Sequence, residues 1–179
     1  MYCLIVEVII WREIFRKTRR NKEHEVSGIY AGRIYEKYGS FAVEVMEQNP
    51  YRLVREVDGI GFLVADNIAK GMGMDPCGRF RVSAALDFQL QKIALYGHCC
   101  IPDGQLVSDV EKGIGVPRDI VWEVMKQDLA EGLLAQESVG EDVLVYPDYL
   151  YRAERETAQR LLQIQREAMP VSARARVGN

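Results

Sequence analysis

Hydrophobic positions recur at helical spacing along most of the chain. Over residues 2–22, Leu4, Val8, Trp11 and Phe15 share one face, which predicts a first helix. The same spacing predicts further helices over residues 27–38, 40–47, 79–96, 105–113, 117–131 and 148–167. Strand composition is confined to residues 133–136 and 143–146, with Ile101 as a further short strand. The pattern therefore predicts a mainly α chain with a small β-hairpin.

Residues 49–70 contain the most informative pattern in the chain. Two apolar helical periods are separated there by Gly59-Ile60-Gly61, in which two glycines permit a very short turn around one apolar anchor. Backbone N–H groups at the start of the second helix point outward at the positive end of the helix dipole, so they can hold a phosphate without a basic side chain. This arrangement predicts a helix-hairpin-helix unit that contacts a DNA backbone. An ordinary helical hairpin with the same connector is the alternative interpretation.

Residues 77–147 follow a different order of elements. A helix, a short strand, two helices and a β-hairpin form the order of a winged helix. The outer face of the helix over residues 117–131 is predicted to be acidic, carrying Asp119, Glu123, Asp128 and Glu131. Because carboxylates repel DNA phosphates, this unit is expected to pack or to contact protein rather than to read DNA. Trp122, off the apolar face, is predicted to anchor a protein surface, or alternatively to fold back into the core.

Composition restricts how nucleic acid could be bound. The 179 residues carry a formal net charge of -3, so the chain as a whole offers no basic surface and any DNA contact must be local. The four cysteines form neither a CxxC pair nor a metal spacing with the two histidines, which predicts reduced thiols, no metal and a cytoplasmic location. The apolar run over residues 2–11 is too short to span a bilayer, so no membrane partner is expected.

These patterns together predict a tandem helix-hairpin-helix bundle followed by a winged-helix-like unit with a small β-hairpin. The expected divisions are an N-terminal helix with a basic end over residues 1–25, a DNA-binding domain over 26–76, the winged-helix-like domain over 77–147, and a helix with a frayed tail over 148–179. Residues 28–34 faintly repeat the pattern of residues 59–68. This degenerate first copy is expected to support packing rather than to bind.

Several runs carry a family resemblance that covers residues 26–165. They are Tyr30-Ala31, Ile34-Tyr35, Asn49-Pro50-Tyr51-Arg52-Leu53, Gly59-Ile60-Gly61-Phe62, Ala65-Asp66-Asn67-Ile68-Ala69, Gly97-His98 and Tyr149-Leu150-Tyr151-Arg152-Ala153-Glu154-Arg155-Glu156. On these residues the chain resembles the amino-terminal region of RecD/TraA-type ATP-dependent DNA helicases, which include the exodeoxyribonuclease V alpha-like proteins. In that family the region precedes a superfamily 1 motor that translocates 5′ to 3′ along single-stranded DNA. The resemblance implies a bacterial cytoplasmic protein of DNA recombination or repair.

The printed sequence contains no G-x-x-x-x-G-K-[ST] loop, so we expect no ATP hydrolysis by this chain alone and assign ATP and Mg²⁺ to the motor of a parent helicase. The chain is interpreted as a piece of such a helicase. Its expected role is a non-catalytic DNA-binding and coupling region, with single-stranded or tailed DNA and the motor domain as partners. The candidate DNA-binding residues are Gly59, Ile60, Gly61, Phe62, Arg52, Arg55 and Lys70. Where the family commonly has a basic or hydroxylated pair after the hairpin, this chain has Leu63 and Val64.

Two other functions stay open at this point. The chain could be a protein-interaction scaffold with a vestigial hairpin. Helix-hairpin-helix units also occur in base-excision glycosylases, for which Asp75 and Asp87 are the nearby acids.

Overall fold

A computed structural model describes residues 28–167. The helix predicted over residues 2–22 and the tail over 170–179 lie outside these residues. The described part is mainly helical with one small antiparallel sheet, as the sequence pattern predicts.

The amino-terminal half is built from short helices. Its elements are α1 (Gly28–Tyr38), a 3₁₀ turn (Gly39–Phe41), α2 (Ala42–Gln48), a second 3₁₀ turn (Pro50–Arg52), α3 (Leu53–Glu56) and α4 (Phe62–Gly71). Gly39 follows α1 with a φ of +55°, a left-handed conformation that ends the helix. Asn49 Oδ1 accepts a hydrogen bond from the Tyr51 amide at 3.0 Å and caps the 3₁₀ turn that begins at Pro50. The helix α3 that follows this turn is four residues long.

The carboxyl-terminal half has the predicted order of elements. It consists of α5 (Arg79–Leu95), β1 (Ile101–Pro102), α6 (Asp103–Ile114), α7 (Arg118–Ala130), β2 (Leu134–Val139), β3 (Asp142–Pro147) and α8 (Asp148–Glu167). The strands lie in the order β1-β3-β2, and Val145 at the centre of β3 pairs with Ile101 on one side and Gln136 on the other. The assignment of this order to a winged helix stays a prediction.

One continuous apolar core runs from Ile34 in α1 to Val145 in β3. Its fully buried side chains come from both halves, including Leu53 and Ile68 from the first and Leu86 and Met125 from the second. Burying each such side chain contributes about 1.5–3 kcal/mol. The boundary near residue 76 stays a prediction.

Near the start of the last helix, α8, the Tyr146 and Tyr151 rings lie 5.3 Å apart. From Arg152 onward every residue of α8 is exposed. Within residues 28–167, no helix has the length and apolar character needed to cross a bilayer.

Candidate nucleic-acid interface

The turn between α3 and α4 has the geometry of a tight hairpin. Val57 is extended, Gly59 has a φ of +80°, and Gly61 is extended again as the residue that precedes α4. The Ile60 amide donates to the Val57 carbonyl at 3.2 Å, which closes the turn. The amides of Val64 and Ala65 then both donate to the Gly61 carbonyl, at 3.1 and 3.2 Å, and start the helix.

The predicted hairpin residues contribute in two ways, through buried side chains that anchor the turn and through backbone N–H groups at the start of α4. Ile60 and Phe62 are buried, and the Phe62 ring stacks between Tyr51 at 6.1 Å and Phe88 at 5.1 Å. These side chains hold the turn against the core and face away from solvent. The Ile60 amide is not available to a phosphate, because it donates to the Val57 carbonyl. The N–H groups without an intrahelical acceptor are those at the start of α4, beginning at Gly61.

Gly61 has an ordinary extended backbone conformation. Its φ is -89° and its ψ 175°, values that any residue adopts. Apart from its chain neighbours, none of the described residues has a heavy atom within 4 Å of the position that a Cβ would take. Gly61 therefore leaves open space in front of the α4 amides, and the left-handed backbone is supplied by Gly59.

Arg33 lies over this turn, although the sequence analysis did not single it out. Its Nη1 donates to the Asp58 carbonyl at 2.8 Å, and a Cβ on Gly59 would collide with the same guanidinium. Arg33 projects from α1, the predicted degenerate first copy, whose Ala31 and Ile34 are buried as expected for a packing element. The first copy thus also places an exposed cation beside the hairpin.

The three basic residues predicted for the site are each held by a carboxylate. Arg52 Nε lies 2.8 Å from Glu56 Oε1, and this hydrogen bond is the main reason that the pKa of Glu56 is lowered. Arg55 pairs with Asp87 of α5 at 3.4 Å. Lys70 lies in the last turn of α4, about 12 Å along the helix from Phe62. It is therefore at the opposite end of α4 from the open amides.

Arg52 and Arg55 face a cleft between α3 and α5 rather than the turn. The cleft has a volume of about 220 Å³, and its wall includes Arg79, Phe80 and Glu131. Sequence reasoning missed this cleft because its two walls are far apart along the chain.

A buried ion pair holds α4 on its core-facing side. Arg81 Nε lies 2.8 Å from Asp66 Oδ1, and the Tyr51 hydroxyl donates to the same oxygen at 2.8 Å. Lys70 Nζ lies 2.8 Å from the other carboxylate oxygen of Asp66. Burial works to raise the pKa of Asp66, but the hydrogen bonds from Arg81, Lys70 and Tyr51 outweigh it and lower that pKa. Asp66 is thus held as a charged carboxylate inside the core.

The acidic helix α7 differs from prediction at Asp128, which is 1% exposed and not on the outer face. It falls seven residues after Val121, on the helix's buried side, and its Oδ1 lies 3.6 Å from Arg79. Trp122 is half-buried and packs against the core, while it also lines a shallow surface depression with Glu123 and Lys126. Trp122 is therefore partly packed and partly accessible, and its contact with another protein surface stays a prediction.

The family comparison covers the part of the chain that contains the hairpin. Residues 13–100 match the family model described as the ATP-dependent RecD2 DNA helicase HHH domain, where HHH denotes helix-hairpin-helix. The match includes α1 to α5 and ends just before β1, so the resemblance predicted from the sequence is confirmed for this part. It indicates a DNA-binding region of a helicase. Residues 13–100 are therefore similar to the helix-hairpin-helix domain of RecD-type DNA helicases.

Proposed function

We propose that this chain binds the phosphate backbone of DNA at the start of α4, as a non-catalytic DNA-binding and coupling region of a RecD/TraA-like helicase. The observation that carries the proposal is the open first turn of α4. Extended Gly61 leaves space where a phosphate oxygen would approach, and the amides behind it lie at the positive end of a ten-residue helix.

Arg33 adds a side-chain contact to this backbone site. Within residues 28–167 its guanidinium donates one hydrogen bond, to the Asp58 carbonyl, and a guanidinium carries five N–H donors, so it can also donate to a phosphate. Arg33 would supply the phosphate contact that the family commonly makes with a basic or hydroxylated pair, at the positions where this chain has Leu63 and Val64. The proposed contact set is therefore the Gly61, Phe62 and Leu63 amides with Arg33.

Gly61→Asp tests the site because it moves stability and DNA affinity in opposite directions. Gly61 already has the backbone angles of a helix N-cap, where Asp is favoured over Gly by a few tenths of a kcal/mol. The new carboxylate would occupy the phosphate position and repel the DNA backbone. We expect Gly61→Asp to unfold at an equal or higher urea concentration than the wild type and to lose most DNA affinity in a fluorescence anisotropy titration.

Gly61→Asn is the matched control for this experiment. Asn caps a helix as well as Asp does and has nearly the same size, but it carries no charge. The Asn variant should therefore keep more DNA affinity than the Asp variant at equal stability. Equal affinity of wild type and Gly61→Asp would show that DNA does not approach the start of α4.

A coupling role for the second half rests on the exposed helix α8. Leu161, Leu162 and Ile164 are all more than half exposed near its end. We propose that this apolar set contacts the helicase motor, which would let DNA contact at the hairpin reach the ATPase. In a chain that includes the motor, Leu161→Ser with Leu162→Ser should reduce the stimulation of ATP hydrolysis by DNA and leave DNA affinity of the hairpin unchanged. Undiminished stimulation would rule out this contact.

A further inference from the structure

The cleft between α3 and α5 has features that the hairpin site does not explain. Its walls come from distant parts of the chain, with Arg52 and Arg55 on one side, Arg79 and Phe80 on the other, and Leu133 at one end. We propose that this cleft holds one base and the adjoining phosphates of a single-stranded nucleic acid, with Phe80 as the stacking surface. The inference rests on the proposed DNA-binding function and assigns a second contact beyond the hairpin.

Phe80 provides an open aromatic face. It lies in the first turn of α5 and is 48% exposed, whereas Val82 and Leu86 of the same helix are buried in the core. Leu133, which also lines the cleft, is 37% exposed, so apolar surface in the cleft is accessible to solvent. Stacking of bases on aromatic side chains tolerates any base sequence, because every base has a π-face.

Three arginines line the same cleft and supply N–H donors. Each is oriented by a carboxylate, Arg52 by Glu56 at 2.8 Å, Arg55 by Asp87 at 3.4 Å and Arg79 by Glu131. These pairs engage only some of the five N–H donors on each guanidinium.

The residues that line the cleft comprise three cations and two carboxylates, Asp87 and Glu131, in a chain whose formal net charge is -3. Glu56, which pairs with Arg52, and Asp128, which lies 3.6 Å from Arg79, add two more carboxylates, so the cleft has no excess of positive charge. Its contribution to phosphate binding is the guanidinium N–H donors that these ion pairs do not engage.

The size of the cleft favours one unpaired base. Its volume of about 220 Å³ is below the roughly 300–1,000 Å³ of pockets that enclose small-molecule ligands. A base of an extended strand needs to bury only its ring, since its sugar and phosphates stay at the rim. A paired base is already stacked within a duplex and would first have to leave it, at a cost of a few kcal/mol. The cleft should therefore distinguish single-stranded from double-stranded nucleic acid.

Phe80→Ala, with labelled oligothymidine as the probe, tests the proposal on the full chain. Removing one stacking surface should weaken oligothymidine binding by about 5- to 150-fold, which corresponds to about 1–3 kcal/mol per base. Phe80→Trp should keep the affinity near the wild-type value, whereas Phe80→Leu, which preserves apolar bulk without a ring, should not restore it. An oligonucleotide of abasic sites should bind the wild type and Phe80→Ala equally, because it offers phosphates and no base.

Tyr96→Ala is the matched control. Tyr96 is an exposed aromatic residue just after the end of α5, about 24 Å along that helix from Phe80, so its loss should leave oligothymidine binding unchanged. Circular dichroism should show that all four variants remain folded.

The proposal is overturned if Phe80→Ala binds oligothymidine as the wild type does, or if it loses as much affinity for the abasic strand. Displacement of the strand by polyglutamate, with the same dependence on Phe80, would instead assign the cleft to an acidic protein segment. The two proposals fail separately. If DNA affinity falls in Gly61→Asp but not in Phe80→Ala, only the hairpin site is supported. If it falls in Phe80→Ala but not in Gly61→Asp, only the cleft is supported. A wild-type chain that binds no DNA removes both.

Discussion

Arg81 of α5 and Asp66 of α4 form a buried ion pair that connects the hairpin to the second half of the fold. Arg81 donates from Nε to Asp66 Oδ1 at 2.8 Å and from Nη2 to Oδ2 at 3.3 Å. Its Nη1 also donates to the carbonyls of Pro76 at 2.8 Å and Ile114 at 3.1 Å. One guanidinium thus joins α4, the segment before α5 and the end of α6.

Replacing Arg81 by Met should be strongly destabilising. The substitution keeps apolar bulk but leaves Asp66 with only Lys70 and Tyr51 in a buried position, and removal of one partner of a buried pair costs about 3–5 kcal/mol. Urea unfolding followed by circular dichroism measures this loss. Arg55→Met, which breaks the exposed pair with Asp87, is the control and should cost at most about 1 kcal/mol. Equal costs for the two variants would mean that the Arg81 pair contributes no more than a surface pair.

Stability should fall in acid through Asp66. Its pKa is lowered in the folded state, so the folded protein binds fewer protons at this site than the unfolded chain does. The stabilisation is therefore present above the ordinary Asp pKa of about 3.9 and is lost as the pH falls below it. The urea midpoint of the wild type should drop across this range, and that of Asp66→Asn should drop less. Parallel pH profiles would contradict the assignment.

The hairpin was predictable because its signal is local. Gly59 and Gly61 lie two residues apart, and the apolar periods on either side fix which residues belong to the two helices. The pairing of Arg33 with Asp58 spans 25 residues, and that of Arg81 with Asp66 spans 15, so no periodicity within one helix reveals either. Packing of separate helices brings these side chains together, and a single sequence does not encode that packing in a readable pattern.

Asp128 shows a different kind of error. It occupies the position i+7 from Val121, so the helical period itself places it on the buried side of α7. It was predicted to be exposed because it is charged. Burial is tolerated there because Arg79 of α5 approaches to 3.6 Å, which the sequence of α7 alone does not show.

Gly59 and Gly61 should respond differently to the addition of a methyl group. Gly59→Ala would place a Cβ against the Arg33 guanidinium and would require a left-handed conformation that costs an L-residue about 1–2 kcal/mol. Gly61→Ala meets open space and an ordinary φ, so it should lose only what Ala costs relative to Gly at a helix N-cap, which is less than about 1 kcal/mol. Urea midpoints of the two variants decide the point. A larger loss with Gly61→Ala than with Gly59→Ala would contradict this geometry.

Arg33→Gln should weaken DNA binding with little change in stability, since the side chain is exposed and, among the described residues, makes one hydrogen bond, to a turn carbonyl. Loss of one phosphate contact reduces the slope of log K against log salt by about 0.9 for duplex and about 0.7 for single-stranded DNA. Lys37→Gln, one turn later on α1, removes the same charge and is the control for net charge. If both variants shift the slope equally, Arg33 acts only through the overall charge of the chain.

Because of Asp128, the free energy of unfolding should fall as the pH rises above the ordinary Asp range. This effect is opposite in sign to that of Asp66. Burial raises the pKa of Asp128 more than the Ser83 hydroxyl and Arg79 lower it. Its Oδ1 has no hydrogen-bond partner among the described residues. Between about pH 4 and the raised pKa, the folded protein therefore retains a proton that the unfolded chain has released, so stability declines as the pH rises.

Asp128→Asn removes this group from titration and keeps its shape. The variant should gain stability relative to the wild type as the pH is raised from about 4 towards 7, because the buried charge that forms only in the wild type is costly. Arg79 retains Glu131 as a partner, so the substitution leaves no isolated cation in the core. Urea unfolding of both proteins across this pH range measures the difference. A stability difference that stays constant with pH would show that Asp128 titrates normally in the folded protein.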